Sequence, residues 1–430
     1  MQGLVALVLN ESEELSRMST ALIAPVKGRI LLFSYAFPPM HVQMTAAVYK
    51  PMAAIARSGF AVDVVCADSF CKELPLDHSL LQFAENTFGD ITRLRPSTVF
   101  ASRLRASSRV FSRIPDLMTT LNESAYETLM DMDLSKYDAV MTWSPFHSIN
   151  AVMVQVKKAR RNVRWLAQFS DPWAGNPLEV NRLTKFWNER NEPRAIKAAD
   201  FIVHSSRYSL DLMLKNHPNA YQHKTDVIPH AYDEALFPQR PKALNDKILL
   251  RYVGVLYGRR SPEPLFHALA SLFVRRPDLR GKLCVEFIGL TPPEMFKTSA
   301  ALSLPAGTIR TVGSVPFVES VEKMYDADIL VLIEANIRQN LFLPSKLSDY
   351  MGAGTPIVGL VPPGGSEDAL KQLGCWYARP DDIDGISQAI EGAVVHVTNC
   401  PDARWCNESY RDTFSGIQVA SRFTDIIARL

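Results

Sequence analysis

The chain has 430 residues, which exceeds one ordinary hydrophobic core and predicts two domains. Its hydrophobic fraction of 47% and charged fraction of 21% are typical of a folded globular protein, and its formal charge of +2 argues against nucleic acid as the main partner. No apolar run reaches the ~20 residues of a membrane-spanning helix. The six cysteines form no CxxC pair, so we expect reduced thiols, no disulfide framework and no zinc site.

The opening residues MQGLVALVLN are apolar but lack the basic start of a signal peptide and run into acidic residues. We therefore assign residues 1–26 to an accessory N-terminal segment. A β–α–β unit follows, with a strand at 30–37, a helix at 43–58 and a strand at 60–67.

Further buried strands are predicted along the first half of the chain, at 137–145, 163–171, 199–206 and 225–230. Helical stretches separate them, so residues 27–240 are predicted to form a first doubly wound domain of parallel strands.

Residues 93–113 within this half are rich in arginine and contain no acidic residue, with apolar residues between the charges. One interpretation is a patch for the anionic headgroups of a membrane surface. The alternative is an ordinary solvated basic helix or loop. The arginines are Arg93, Arg95, Arg103, Arg105, Arg109 and Arg113.

A second series of strands and helices follows a proline-containing linker near 238–246. Its strands are predicted at 247–256, 282–290, 308–315, 329–334 and 356–361, and its first helix at 264–274. Residues 241–402 are therefore predicted to form a second Rossmann-like domain. The tail at 403–430 is helix-like, ends in the amphipathic FTDIIARL, and is predicted to cross back to the first domain.

The stretch 329–360 is a β–α–β unit whose helix begins near Ser345, the predicted cap, and ends near Gly354. Lys346 and Asp349 lie in its first turns. A helix N-terminus beyond the carboxyl ends of parallel strands favours an anionic ligand, which makes this a candidate nucleoside-diphosphate site.

Four stretches then occur in a characteristic order: a first strand ending in FPP, the passage ADFIVHSSRYSLDLML followed by TDVIPHAYDEALFP, the strand-glycine YVGVLYGRR, and LPSKLSDYMGAGTPIV. Together they resemble the retaining GT-B glycosyltransferases of family 4, which use nucleotide-sugars to build bacterial polysaccharides. The resemblance covers about 29–390. It implies an α/β fold of two Rossmann-like, doubly wound domains facing a central cleft, with the acceptor on the first and the nucleotide-sugar on the second.

The resemblance also implies donor-binding residues in the second domain. Two adjacent arginines fall where the family has a basic contact to the diphosphate, although surface arginines are usually only solvated. Asp349 falls at the acidic ribose-binding position, and the alternative is a carboxylate that favours the helix dipole. Gly364 and Gly365 offer backbone N–H groups to the sugar or phosphate, with a plain turn as the alternative. The predicted donor-binding residues are Gly254, Arg259, Arg260, Ser345, Lys346, Leu347, Asp349, Gly364 and Gly365.

The predicted catalytic residues lie in the first domain. Asp171 ends a strand where relatives carry a histidine or an aspartate, and there it would contact the donor sugar and stabilise an oxocarbenium-like charge. The alternative is that Asp171 only caps the following turn. His147 follows the neighbouring strand and faces the same cleft, and its alternative role is structural.

Two departures from the family pattern bear on function. Met40 to Gln43 stand where relatives have two glycines, and Leu341 stands where the first glutamate of a Glu-x7-Glu pair is expected. The first hypothesis is a cytoplasmic hexosyltransferase, peripheral at the inner face of the plasma membrane. It would transfer a sugar from a UDP- or GDP-linked donor to a glycan or lipid-linked acceptor, without a metal or other cofactor. The alternatives are a sugar-nucleotide epimerase or another GT-B hydrolase, and a non-catalytic assembly subunit.

Overall fold

The structure is a computed structural model, and it describes residues 26–69, 74–97, 114–217, 221–399 and 405–430. This part of the chain contains two all-parallel sheets, of seven and six strands, that follow one another in sequence. Helices pack on both faces of each sheet. The prediction of two doubly wound α/β domains is therefore confirmed. Of the accessory segment, all but Val26 lies outside the described residues.

The first sheet has the strand order β3-β2-β1-β4-β5-β6-β7. Its strands are β1 (Gly28–Phe33), β2 (Phe60–Ala67), β3 (Ile91–Leu94), β4 (Ala139–Ser144), β5 (Trp165–Phe169), β6 (Phe201–His204) and β7 (Thr225–Val227). Its helices are α1 (Thr45–Arg57), α2 (Leu81–Thr87), α3 (Asn122–Asp131), α4 (Ser148–Ala159), α5 (Arg182–Ala198) and α6 (Arg207–Asn216). The order reverses between β1 and β4, and this switch point opens a crevice at the carboxyl ends of the strands.

The second sheet has the order β10-β9-β8-β11-β12-β13. Its strands are β8 (Ile248–Val253), β9 (Leu283–Ile288), β10 (Ile309–Gly313), β11 (Ile329–Ile333), β12 (Ile357–Leu360) and β13 (Trp376–Ala378). Its helices are α7 (Glu263–Arg275), α8 (Ser299–Leu302), α9 (Phe317–Tyr325), α10 (Ser345–Ala353), α11 (Gly365–Leu373) and α12 (Ile383–Asn399), followed by α13 (Glu408–Asp412) and α14 (Gly416–Ile427).

The central strands are apolar throughout because both of their faces are buried. In β1, Ile30 and Leu32 enter one core cluster, whereas Leu31 and Phe33 enter the cluster on the opposite face. This alternation is the period-two geometry of a strand covered by helices on both sides. The register pairs Gly28 with Phe60, so the first residues of β1 and β2 are aligned.

One hydrophobic cluster runs without interruption from the first domain into the second. The last helix, α14, contributes to it by packing on α1 of the first domain. Its Phe423 ring lies 5.6 Å from the ring of Trp143, and Arg422 contacts Asp226 at 3.0 Å. The chain therefore passes between the domains twice, once after β7 and once before α14.

One local prediction needs correction, and another can be followed only at its start. Pro344 precedes α10 and makes no side-chain cap, so Ser345 is the first helical residue rather than the cap. Of the arginine-rich segment, Arg93 and Leu94 end strand β3, and residues up to 97 are described. Its two described arginines have intramolecular partners, since Arg93 donates to the Pro38 carbonyl (2.9 Å) and Arg95 to Asp68 (2.6 Å). The arginines at 103–113 lie outside the described residues.

Candidate functional site

Lysine 346 lies at the carboxyl edge of the second sheet, against the backbone that follows β8. A Cβ atom on Gly254 would overlap the Lys346 Nζ, so the amine lies directly against this backbone, whose φ of +142° itself favours glycine. Nζ donates to the hydroxyl of Tyr252 (3.0 Å) and lies 4.4 Å from the centre of that ring. The loop after β8 and the start of α10 are thereby joined.

Arginine 260 faces the same space. Burial lowers the pKa of Lys346 well below its ordinary value, and the Arg260 guanidinium lowers it further. Arg260 lies over the Tyr257 ring (5.2 Å), and its buried Nε has no hydrogen-bond partner. Among the described residues, Lys346 forms no ion pair with a carboxylate. Two basic side chains thus converge where an anion would favour protonation of Lys346 and accept the hydrogen bond that Arg260 Nε lacks.

A buried carboxylate, Glu334, completes this cluster and was not predicted as a site residue. It follows β11 directly, is 3% exposed, and accepts hydrogen bonds from Asn340 Nδ2 and Ser366 Oγ, both at 2.7 Å. Burial raises the pKa of Glu334, whereas the two hydrogen bonds and the nearby Arg260 and Lys346 lower it. An acidic residue directly after the apolar run ILVLI was the signal for it.

Gly364, directly before α11, and Gly365, its first residue, place this helix start against both the cluster and the first domain. Gly364 has a φ of +143°, and a Cβ there would overlap the Asn340 carbonyl oxygen. A Cβ on Gly365 would lie 3.5 Å from Ser206 Oγ, the buried and unpartnered hydroxyl at the start of α6. Tyr208 on α6 donates to Asp368 on α11 at 2.7 Å. The carboxyl edges of the two sheets therefore meet here.

Asp349 has a partner that the sequence did not reveal. Its carboxylate forms a buried ion pair and hydrogen bond with Lys50 of α1, in the other domain. Burial raises the pKa of Asp349, and Lys50 opposes that shift. The assignment of Asp349 to the ribose stays a prediction, with one oxygen already held by the first domain. A lysine inside the apolar helix QMTAAVYKPMAA was the available signal.

The remaining donor-side candidates differ in what they offer. Leu347 is fully buried in the core, so it would reach a ligand only through its backbone. Arg259 is exposed to solvent. Ser345 has a carbonyl that accepts from Ser348 Oγ at 2.6 Å, within the first turn of α10. These residues line the cluster without adding charge to its buried part.

On the first domain, Asp171 follows β5 at the same sheet edge as Ser206. Burial raises the pKa of Asp171 to about 6. The loop after it is held by Trp173, whose Nε1 donates to Asn188 (2.9 Å), and by Glu192, which accepts from the Ala174 N–H (2.9 Å). The carboxylate itself has no hydrogen bond to a described side chain, so it is available to a ligand.

His147 directly precedes α4, in the turn that follows the neighbouring strand β4. Its ring stacks on Trp173, with centroids 5.0 Å apart and planes at 11°, and Phe169 lies beyond at 6.0 Å. Burial lowers the pKa of His147 to about 3, although a hydrogen bond with the Pro172 backbone opposes this shift. The imidazole is therefore neutral at physiological pH, and its buried Nδ1 has no partner. Nδ1 can therefore form a hydrogen bond with a ligand, as donor or acceptor according to the tautomer, but the ring carries no positive charge.

The loop at 40–43, which stands where the family has two glycines, is held in place by hydrogen bonds and an ion contact. Met40 is buried, and its carbonyl accepts from Thr45 Oγ1 at 2.7 Å. His41 contacts Asp77 at 3.4 Å, and Asp77 in turn accepts from the Phe317 N–H of the second domain at 2.6 Å. The bulkier loop thus takes part in joining the domains.

The assembled geometry was compared with known proteins. No protein-family model and no curated protein matches the sequence. The structure is similar to that of HepE from Anabaena in complex with UDP and glucose, with a TM-score of 0.67 and 12% identity over 94% of this chain and 100% of that one. It is also similar to sucrose-phosphate synthase from Thermosynechococcus elongatus, at 0.64 and 16% over 94% and 99%.

A third similar structure is a putative UDP-N-acetylglucosamine 2-epimerase from Listeria monocytogenes, with a TM-score of 0.58 and 10% identity over 94% of this chain and 96% of that one. The chain has the GT-B fold. Because fold alone does not fix activity, the function of this GT-B chain depends on the residues of its candidate site.

Two further observations concern the described ranges of this GT-B chain. No helix in them combines the length and apolar character that crossing a bilayer requires. In the same ranges, no three His, Cys, Asp or Glu side chains gather in a way that would hold a metal ion. Independence from metal stays a prediction.

Proposed function

We propose that this protein is a retaining glycosyltransferase that moves a sugar from a UDP- or GDP-linked donor to a glycan or lipid-linked acceptor in polysaccharide biosynthesis. The observation that carries the proposal is the convergence of Lys346 and Arg260 at the carboxyl edge of the second sheet, with no ion pair from Lys346 to a described carboxylate. Cations in that position suit the diphosphate of a nucleotide-sugar.

The chemistry of sugar transfer uses such an arrangement. As the glycosidic bond to the β-phosphate breaks, negative charge grows on the leaving diphosphate, and fixed donors stabilise it without reorganisation. Lys346 would bind in its protonated form, because a phosphate oxygen replaces the solvation that burial removes. Arg260 Nε would donate the hydrogen bond that it lacks in the free protein.

The first domain supplies groups for the sugar. Ionised Asp171 would stabilise positive charge on the ring carbon, and neutral His147 would hold a hydroxyl through Nδ1. The retaining outcome and the polysaccharide role rest on the family resemblance. HepE, solved in complex with UDP and glucose, supports a nucleotide and sugar site in this fold, and sucrose-phosphate synthase supports a synthase of that class.

The epimerase alternative is supported by the Listeria structure. It requires groups around the sugar that exchange protons near neutral pH. Asp171, with a pKa of about 6, could exchange a proton, but His147, with a pKa of about 3, is a poor proton carrier, so only one of the two sugar-side groups suits acid–base chemistry and the observations favour the transferase. The non-catalytic alternative is motivated by Leu341 and by the Lys50 contact that holds Asp349.

The test is donor binding and turnover with a panel of UDP- and GDP-sugars, measured by calorimetry and by release of nucleoside diphosphate in the presence of glycan acceptors. We expect one donor to bind, and Lys346→Met to weaken it about 10- to 100-fold, as for loss of a charged hydrogen bond. Lys371→Met, on the exposed side of α11, is the matched control and should bind normally.

The outcomes separate the hypotheses. Binding with transfer to an acceptor supports the proposal, and binding with inversion of a sugar carbon and no transfer supports the epimerase. Binding without any turnover supports the assembly subunit. No binding of any donor would overturn both enzyme hypotheses, the transferase and the epimerase.

A further inference from the structure

Helix α5 of the first domain presents large apolar side chains to solvent. Leu183 is 55% exposed and Phe186 64% exposed, and the segment just before the helix adds Leu178 at 60% and Val180 at 86%. Single exposed apolar residues are common on protein surfaces, but a contiguous group of this kind marks an interaction site.

Basic side chains share the outward face of α5. With 100° of rotation per residue, Arg182, Arg190 and Arg194 fall on the same side of the helix as Leu183 and Phe186. All three arginines are exposed, as is Lys197 further along this side. Glu189 borders the face, and Glu179 precedes the helix. We call this surface the α5 face: Arg182, Leu183, Phe186, Arg190, Arg194 and Lys197.

A groove adjoins the α5 face. It has a volume of about 440 Å³, and its walls include Leu183, Phe186 and Trp187 of α5, Ile114, and Ala151 of α4. Its lining is largely apolar, so it can accept a hydrocarbon segment rather than a charged ligand.

We propose that the α5 face binds an anionic lipid bilayer surface, with Leu183, Phe186 and the groove taking the acyl boundary and the basic residues facing the headgroups. Charge complementarity decides the occupant, because exposed apolar side chains beside basic ones suit a surface that has anionic headgroups above an apolar layer. A second copy of this chain would bring the same basic residues together and repel itself.

The α5 face lies close to the first-domain side of the cleft. Trp187 of α5 packs on Trp173 (5.9 Å), and Trp173 follows Asp171 at the carboxyl edge of the first sheet. A bilayer at the α5 face would therefore lie beside the acceptor half of the cleft. The proposal stands on the exposed surface itself and goes beyond the proposed sugar transfer.

The test is co-sedimentation of the full chain with vesicles of phosphatidylcholine, with and without about one third phosphatidylglycerol. We expect binding to the anionic vesicles that weakens with salt, because exposed charges are screened. Arg182→Gln/Arg190→Gln/Arg194→Gln should reduce the partition coefficient about fivefold per charge. Leu183→Gln/Phe186→Gln should reduce it about tenfold or more.

The matched control for the apolar pair is Val274→Gln/Leu302→Gln, two second-domain residues that are 73% and 74% exposed. These controls should bind vesicles like the unaltered protein. All variants should keep their melting temperature and their donor binding, because no changed residue belongs to the proposed site.

Three results would overturn the proposal. The first is no binding of the unaltered protein to anionic vesicles. The second is binding that the α5 variants retain but Arg103→Gln/Arg105→Gln/Arg109→Gln loses, which would assign the contact to the arginine-rich segment. The third is concentration-dependent dimerisation, seen by sedimentation velocity and abolished by Leu183→Gln/Phe186→Gln, without vesicle binding.

Discussion

At the scale of single residues, Asp171 shows how burial prepares a carboxylate for chemistry. Burial raises its pKa from 3.8 to about 6, so the carboxyl is still mostly ionised at pH 7. The ionised form then lowers the stability of the folded state. Asp171 is partly exposed, and a carboxylate whose pKa is raised with no charged partner beside it among the described residues is a candidate for a functional position.

A pH series tests this carboxylate. Below its folded pKa the group is protonated, so kcat/KM of the proposed transfer should fall as pH drops through 6, and Asp171→Asn should lose most activity and this limb of the profile.

The same substitution should stabilise the fold. The unfolded carboxyl titrates near 4 and the folded one near 6, so the free energy of unfolding falls as pH rises between these values. An asparagine side chain does not ionise and escapes this loss. Asp171→Asn should therefore gain on the order of 2 kcal/mol at pH 7.5 and much less at pH 4. Denaturant unfolding at both pH values measures it, and an equal effect at both would contradict the assignment.

At the scale of elements, α1 and α10 are joined across the domain boundary by the Lys50–Asp349 pair. Both side chains are almost completely buried. Removing one partner of a buried pair leaves an uncompensated charge, whereas replacing both with apolar residues does not.

A double-mutant cycle tests that contact. Lys50→Met should lower the free energy of unfolding by about 3–5 kcal/mol, and Lys50→Met/Asp349→Leu should recover much of the loss. Chemical denaturation of the unaltered protein, the single variants Lys50→Met and Asp349→Leu, and the double variant gives the coupling energy. Arg207→Met, which breaks an exposed pair with Asp211, is the control and should cost less than about 1 kcal/mol. A double variant as unstable as the single one would argue against the pair.

The sequence predicted the elements better than their contacts. Strands such as ILVLI were recognisable because burial on both faces makes them apolar throughout, and the turn glycines and prolines marked their ends. Short, mixed segments such as β3 were missed, since four residues with an arginine carry little periodicity.

The site was predicted only in part for the same reason. Lys346, Arg260 and Gly254 were placed by local motifs, and the structure brings them together. Lys50 and Asp349 are 299 positions apart, so no local pattern could pair them. Glu334 was visible as a charge after a buried strand, but its hydrogen bonds come from Asn340, later in the same loop, and from Ser366 in the first turn of α11.

At the scale of the whole molecule, the shared hydrophobic cluster couples the domains. Because α14 completes the core of the first domain after the second domain has been built, neither domain has all its packing partners within its own half of the chain. We therefore expect the two domains to unfold together.

Phe423→Ala tests this coupling. The side chain is fully buried against Trp143, so truncation should cost about 3–5 kcal/mol. Calorimetry should show one transition in both proteins, moved to lower temperature in the variant. Ile417→Ala, at an exposed position of the same helix, should leave it nearly unchanged. Separation into two transitions would show that the domains unfold independently.

The double passage of the chain between domains also restricts how they can move. One crossing follows β7, where Arg240 binds Asp326 at 2.8 Å, and the other lies before α14, where the Tyr232 N–H donates to the Phe414 carbonyl at 2.9 Å. Two domains joined by two chain connections can rotate about the line between those connections, whereas sliding would strain both of them. Each closure of the cleft would then return Lys346 and Asp171 to the same relative position.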